Sequence, residues 1–228
     1  MTVPATARSQ MRVLIVDDHA LFAESLELAL SLEGYDVRRN PPGVASSSVV
    51  LSQVRRMRPR VVLLDLDLGP MGDGARLVHP IASTGANVVI VTSTPDRARW
   101  GECIRHGARQ VLTKTQPLNE ILSVVRRIGH GLPVLTAETR EELLLLWHQR
   151  RQESGRVLER LELLSAREQE VLGLLMSGQP VREIARLGFV SEATVRTQVK
   201  SVLSKLEVSS QLTAVGIAHQ VGWRPPSR

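Results

Sequence analysis

Aromatic residues are scarce in this 228-residue chain: two Phe, one Tyr and three Trp, 3% of the total. With 43% apolar residues overall, leucine, valine and alanine must fill any core. A single cysteine, Cys103, excludes an internal disulfide, and a lone thiol fits a reducing compartment, so a cytoplasmic location is expected. No apolar run approaches the roughly eighteen residues that a membrane span needs. The opening TVPATARSQ also lacks the hydrophobic segment of a secretory signal. The six histidines are scattered without metal-ligand spacing, so none is assigned to a metal. The net charge is +6, yet from residue 161 onward eight basic side chains stand against six acidic ones. Bulk charge therefore permits nucleic-acid binding without establishing it, and position has to carry that argument.

What is present is a repeated device. VVLLDLDLG (61–69) is a short apolar run, rich in β-branched residues, that leads into Asp65 and Asp67. MRVLIVDD (11–18) ends in Asp17 and Asp18, NVVIVTS (87–93) in Thr92 and Ser93, and QVLTK (110–114) in Lys114. Such runs read as strands buried on both faces of a parallel sheet, and they deliver their last residues to its carboxyl edge. YDVRR (35–39) reads as a shorter strand. Helical patterns alternate with these runs. In the first (19–34), Leu21, Ser25, Leu28 and Leu32 trace a face expected to be buried, widened by Phe22, Leu26, Ala29 and Leu30. A loop is expected at Pro41-Pro42-Gly43 and the serines at 46–48. Helices are expected over 49–57, over 76–83 with Pro80 interrupting it, over 96–106 and over 118–128. The alternation predicts an α/β, flavodoxin-like doubly wound domain, followed by a smaller all-α domain.

Three carboxylates converging on one rim repel one another unless a cation neutralises them. Hard oxygen ligands on loop ends suit Mg²⁺, and a carboxylate beside Mg²⁺ is a nucleophile for a phosphoryl group. Lys114 would bring positive charge to the phosphoryl oxygens and Thr92 a hydroxyl. Any one of these residues alone reads as a solvated strand end; all of them together, each directly after an apolar run, do not.

On VDD (16–18), LLDLDLGPMGDG (63–74), VTS (91–93) and LTK (112–114), residues 10–131 resemble the receiver domain of two-component response regulators. The resemblance implies that Asp65 takes a phosphoryl group from a sensor histidine kinase. Asp17 and Asp18, with Asp65 and the backbone carbonyl of Asp67, would hold Mg²⁺, while Thr92 and Lys114 would contact the phosphate and switch. Two positions depart from the pattern. Gly69-Pro70 adds a residue to the turn, and Val111 stands where a tyrosine or phenylalanine usually switches with the threonine. DLDL (65–68) also looks like the DxD of haloacid-dehalogenase-type phosphatases, but that family places its paired acids after the nucleophile, whereas here they precede it.

Residues 132–160 read as a linker. It is partly helical over 137–151, then a flexible hinge in RRQESGR around Gly155. Ser165 and Glu168 have the spacing of a capping box. A short helix (181–187), a turn at Gly188-Phe189-Val190 and a helix capped by Ser191 follow. In that last helix Val195, Val199, Val202, Leu203 and Leu206 share one face. Arg196, Thr197, Lys200, Ser201 and Ser204 form the other, which is the layout of a helix-turn-helix. LSAREQEVLGLL, REIA, SEATVRTQV, SVLSKLEVSS and AVGIA make residues 161–224 similar to the LuxR-type helix-turn-helix. The resemblance implies that Arg196, Thr197 and Lys200 enter the major groove of double-stranded DNA, with Ser191, Thr194, Gln198 and Lys205 placed to hold phosphates. Gln198, Gln211 and Gly188 depart from that pattern. Ala214, Ile217, Ala218 and Val221 are expected to join two copies, which would call for inverted half-sites about one DNA turn apart. The chain as a whole resembles a NarL/FixJ-type response regulator. The expectation is a regulator and not an enzyme, acting as a homodimer; the alternative is a DNA-binding regulator whose receiver does not switch by phosphorylation.

Overall fold

The structure is a computed structural model and describes residues 11–40 and 46–225. The opening segment and Pro41-Pro42-Gly43 of the expected loop lie outside the described residues. The chain divides into two compact units, 1–148 and 149–228.

The first unit is built on five parallel strands: β1 (Arg12–Val16), β2 (Asp36–Arg39), β3 (Val61–Leu64), β4 (Asn87–Thr92) and β5 (Ala108–Thr113). They lie in the order β2-β1-β3-β4-β5, the doubly wound order in which a crevice opens at the carboxyl edge where the winding reverses. β1 and β3 are in register from Val13 opposite Val61 to Val16 opposite Leu64, so Asp17 and Asp65 leave the sheet at the same level. All four residues of β3 are buried, as a strand covered by helices on both faces requires. Helices α1 (Ala20–Leu32), α2 (Ser47–Met57), α3 (Ala75–Ala82), α4 (Arg97–Arg105) and α5 (Leu118–Gly129) cover it. Two apolar clusters result. One joins Leu14, Val62, Leu64, Val78, Ile90 and Ile104, the other Ile15, Leu26, Leu30, Leu63, Val89 and Ile121. Cys103 is fully buried, and burial, with Glu102 beside it, pushes its thiol up to about 12. It packs in the first cluster and has no exposure for chemistry.

Several local expectations change. α1 turns Ala23, Leu26 and Leu30 inward and leaves Leu21, Leu28 and Leu32 exposed, at 82%, 63% and 80%. Leucines stand nearly all round this helix, so its pattern cannot choose a face; packing against β1 and β2 does. Pro80 does not break α3, which buries Ala75, Leu77, Val78 and Ile81. A proline costs one N–H bond, and the four buried side chains of this helix outweigh it. Ser47 and Ser48 belong to α2, capped by Ser46, rather than to a loop.

The expected hinge is helical: α6 runs unbroken over Ala137–Glu162, through Gly155, and the boundary between the units falls within it. An interior glycine costs a helix only about 1 kcal/mol, and Arg, Gln and Glu around it are good helix formers. Among the described residues no helix is long and apolar enough to cross a membrane.

The second unit packs α7 (Ala166–Met176), α8 (Val181–Leu187), α9 (Glu192–Leu206) and α10 (Gln211–Gln220). α7 opens on the full capping box: Ser165 Oγ accepts from the Glu168 N–H and Glu168 from the Ser165 N–H. Val195, Val202 and Leu206 are buried on α9. Ala214 and Ala218, expected at a contact between copies, are buried in this unit's own core with Leu161, Leu172 and Val202, and Ile217 and Val221 pack against the same cluster. Small residues on a short helix allow close approach, and here that approach is to neighbouring helices of the same chain.

Candidate functional site

The strand ends meet as the sequence spacing predicts. Asp65, 2% exposed, accepts a hydrogen bond from Lys114 Nζ at 2.7 Å, and the same ammonium lies 2.8 Å from Asp17. Lys114 reaches in from the end of β5, and its backbone N–H is fixed by the Thr92 carbonyl at 2.9 Å. The Asp67 N–H donates to Asp65 Oδ1 at 3.2 Å. Thr92 is fully buried, and its hydroxyl accepts from the Thr94 N–H at 3.1 Å. Asp18 is half-exposed at the rim. Gly69 backs onto it, with φ +55 and room for a Cβ only 2.9 Å from Asp18 Oδ2. The additional Gly69-Pro70 is thus absorbed in a 3₁₀ turn, Gly69–Met71, where both the left-handed φ and the close approach favour glycine.

Burial pushes Asp17 above the usual carboxylate range, with Asp65 adding to the rise. The hydrogen bonds from Lys114 and the His19 N–H and the lysine's charge offset this only in part. The pocket therefore holds buried negative charge that one lysine does not fully neutralise.

Two residues of the pocket are not singled out by the sequence pattern. His19 Nδ1 lies 2.7 Å from Asp18, 3.4 Å from Asp17, 3.7 Å from Asp65 and 3.1 Å from Lys114 Nζ. Its ring belongs to a group, with Asp17, Asp18 and Asp65, whose ligand atoms lie within 4.8 Å of one another. The available signal is its place directly after the acid pair. The second is Phe22, whose ring centroid is 5.0 Å from Lys114 Nζ and backs the ammonium with its π face. As a donor set, three carboxylates around one point fit a hard divalent cation such as Mg²⁺. His19, 57% exposed, borders them from the solvent side.

In the second unit α9 presents Arg196, Thr197 and Lys200 to solvent. Arg196 pairs loosely with Glu192 at 3.3 Å, one turn back, and Thr197 Oγ1 donates to the Ala193 carbonyl at 3.0 Å. Ser191 caps the helix by accepting from the Thr194 N–H, and the two hydroxyls are 2.9 Å apart. Gln198 is half-buried, and its Oε1 is buried with no hydrogen-bond partner among the described residues. Lys205 points elsewhere: its ammonium bonds Glu168 at 2.7 Å and the Leu163 carbonyl at 3.1 Å. Burial alone would raise Glu168, but Lys205 and Ser165 outweigh it and hold the carboxyl low, so this lysine braces the capping box. In the turn, Phe189 rather than Gly188 takes the left-handed φ, +51. A Cβ on Gly188 would meet only the tip of the Arg167 side chain, which is a third exposed and can give way, and the Ile184 carbonyl at 3.3 Å, so this position does not demand glycine.

Two protein families match the chain: the response regulator receiver domain over residues 13–126, and the luxR family of bacterial regulatory proteins over 162–218. The probable transcriptional regulatory protein NarL of Mycobacterium tuberculosis is 31% identical over 92% of this chain and 94% of its own length. The chain belongs to the NarL/FixJ-type response regulators. The transcriptional regulatory protein DesR of Bacillus subtilis is 25% identical to this response regulator, over 92% of the chain and 98% of DesR. A structure of the Salmonella typhimurium RcsB response regulator shares the fold, with a TM-score of 0.50 over 93% of this chain and 99% of that one at 21% identity. This response regulator thus joins a receiver to a LuxR-type DNA-binding domain, and its role is regulation of transcription.

Proposed function

We propose that Asp65 accepts a phosphoryl group from a sensor histidine kinase and that the modified receiver alters sequence-specific DNA binding by the second unit. The observation that carries this reading is the position of Lys114 Nζ, 2.7 Å from Asp65 and 2.8 Å from Asp17. An ammonium so placed stabilises the negative charge that develops on the transferring oxygens. An Asp65 carboxylate oxygen attacks phosphorus, the phosphorus–nitrogen bond of the donor phosphohistidine breaks, and the imidazole leaves with its electron pair. Asp17, Asp18, Asp65 and the Asp67 carbonyl would hold Mg²⁺, which supplies charge neutralisation of the phosphoryl oxygens. Thr92 offers its hydroxyl to one of them. The test is labelling with acetyl phosphate and Mg²⁺: the wild type takes a stoichiometric, acid-stable and alkali-labile label, and Asp65→Asn takes none. Label persisting on Asp65→Asn would move the acceptor elsewhere.

On the DNA side, Arg196, Thr197 and Lys200 on the exposed face of α9 read the major groove, while Ser191, Thr194 and Gln198 hold phosphates. Lys205 has one donor left for a phosphate once Glu168 and Leu163 are served. The Arg196–Glu192 pair is exposed and weak enough to exchange for a guanine. Arg196→Ala is expected to weaken binding to a selected operator by about 1–3 kcal/mol and to random DNA much less. Equal losses on both would reduce Arg196 to a phosphate contact. A cytoplasmic homodimer goes with this reading. Ala214 and Ala218 of α10 are buried in their own domain, which leaves Leu212 on that helix and the exposed leucines of α1 as apolar residues open to a second copy.

A second reading has a specific observation behind it. Val111, at the usual switch-aromatic position, is a half-buried core residue with no ring to swing. A receiver that regulates DNA binding without phosphate follows if the wild type takes no label.

A further inference from the structure

We propose that three consecutive residues of α4, Arg99, Trp100 and Gly101, take over the role of the missing switch aromatic and couple the Asp65 pocket to the start of α6. The inference rests on Asp65 being the phosphoryl acceptor. Arg99 reaches across to the loop after β3, where its guanidinium donates to the Leu66 carbonyl at 3.3 Å and to the Asp73 carboxylate. Leu66 directly follows the acceptor, and Asp73 pairs with Asp67 in an isolated bridge. Trp100 Nε1 donates to the Thr94 carbonyl at 2.9 Å, and the Thr94 N–H in turn donates to the Thr92 hydroxyl at 3.1 Å. One helix is therefore tied at adjacent residues to two of the loops that end in the pocket, those after β3 and β4.

The third residue faces the other way. A Cβ on Gly101 would lie 2.0 Å from the Leu143 carbonyl oxygen and 3.0 Å from Trp147 Cβ, so the backbones of α4 and α6 touch there. Arg97 and Glu142 pair beside that contact at 2.9 Å. Leu143 is buried in the same cluster as Cys103 and Ile104, and Trp100, Val111, Leu135 and Leu144 pack against it. The indole thus supplies, from α4, the large ring that position 111 lacks, in the cluster to which position 111 belongs.

The physical step is local. Drawing the Thr92 hydroxyl to a phosphoryl oxygen removes the acceptor of the Thr94 N–H. The loop of Thr94 then moves with respect to Trp100, and α4 settles differently against Leu143. Sub-ångström changes become two packings because a glycine contact of this closeness has no slack. Phosphate shifts the balance only by what it gains in one packing over the other.

Hydrogen exchange of amides 137–148 in the full chain, with and without acetyl phosphate and Mg²⁺, reads the coupling. In the labelled wild type the exchange rates are expected to change by about two- to ten-fold, the scale of one net hydrogen bond. Trp100→Phe keeps a packing ring but loses the donor; it is expected to take label to the wild-type extent and to lose most of the change. Arg99→Met should lose part of it. A residue that only packs would lower stability equally with and without label, leaving the label-dependent difference intact. Full wild-type change in both variants overturns the proposal, and so does a labelled wild type whose amides 137–148 do not respond; in either case Asp65 remains the acceptor. A wild type that takes no label overturns the acceptor assignment and the coupling together.

Discussion

Lys114→Met is expected to destabilise the Mg²⁺-free protein by about 3 kcal/mol at pH 8, the low end of what removing one partner of a buried ion pair costs. The lysine side chain is only 8% exposed, and among the described residues it is the one ammonium bonded to both Asp17 and Asp65. Without it two buried carboxylates face each other with His19 alone nearby. Burial already raises the Asp17 carboxyl, and removing Lys114 takes away the hydrogen bond and the charge that pull it back. A folded-state pKa raised above the unfolded value means that the protonated form contributes stability at low pH. That contribution is lost as pH rises through the folded pKa. The deficit should therefore grow from pH 5 to pH 8, and urea unfolding at the two pH values measures it. Adding Asp65→Asn should recover much of the loss by removing one of the two facing charges. Mg²⁺ should stabilise the Lys114→Met protein more than the wild type, because the cation replaces the missing positive charge. A flat pH response with no Mg²⁺ effect would show that water, not Lys114, neutralises these acids.

Much of the pocket is legible in the sequence because its residues sit directly after strands, and a buried parallel strand allows its ends few places to go. Asp17, Asp65 and Lys114 meet on that account alone. His19 and Phe22 are not legible. Both follow the acid pair at the start of α1, where side-chain direction depends on how that helix rolls on the sheet. That roll is the one feature its leucine-rich sequence leaves open, so the same ambiguity hides the pocket residues and puts Leu21, Leu28 and Leu32 on the wrong face. Gly155 lies inside a helix where an irregular segment is expected: one glycine among strong helix formers is a small penalty, not a break. Lys205 shows the opposite difficulty. Its spacing puts it on the outer stripe of α9, and only the position of Glu168 on a different helix reveals that it turns to a neighbour.

Gly74→Ala is expected to cost the receiver about 1–3 kcal/mol or more and to abolish labelling of Asp65, although alanine is a better helix residue than glycine. Gly74 caps α3 with φ −62, a conformation any residue adopts, so backbone strain is not the reason. The reason is space. A Cβ there would stand 2.0 Å from the Asp65 carbonyl oxygen, 3.1 Å from its carbon and 3.2 Å from Leu66 Cα. Every one of these is backbone of the acceptor segment, which has no rotamer with which to yield. Relief requires pushing Asp65 outward. That movement would stretch the Gly74 N–H bond to the Leu66 carbonyl, now 2.9 Å, and the hydrogen bond of Lys114 to the carboxylate. Gly72, two residues earlier, is the control. It has φ +84 and ψ −141, a region open essentially to glycine alone, and nothing within 4 Å of the place a Cβ would occupy, so Gly72→Ala meets backbone strain of about 1–3 kcal/mol and no collision. That variant should fold and take label. Thermal unfolding and acetyl-phosphate labelling of the two variants side by side separate conformational strain from collision. A Gly74→Ala protein that labels like the wild type would show that the loop carrying Asp65 is free to move aside, and that the close packing of α3 against it does not hold the acceptor in place.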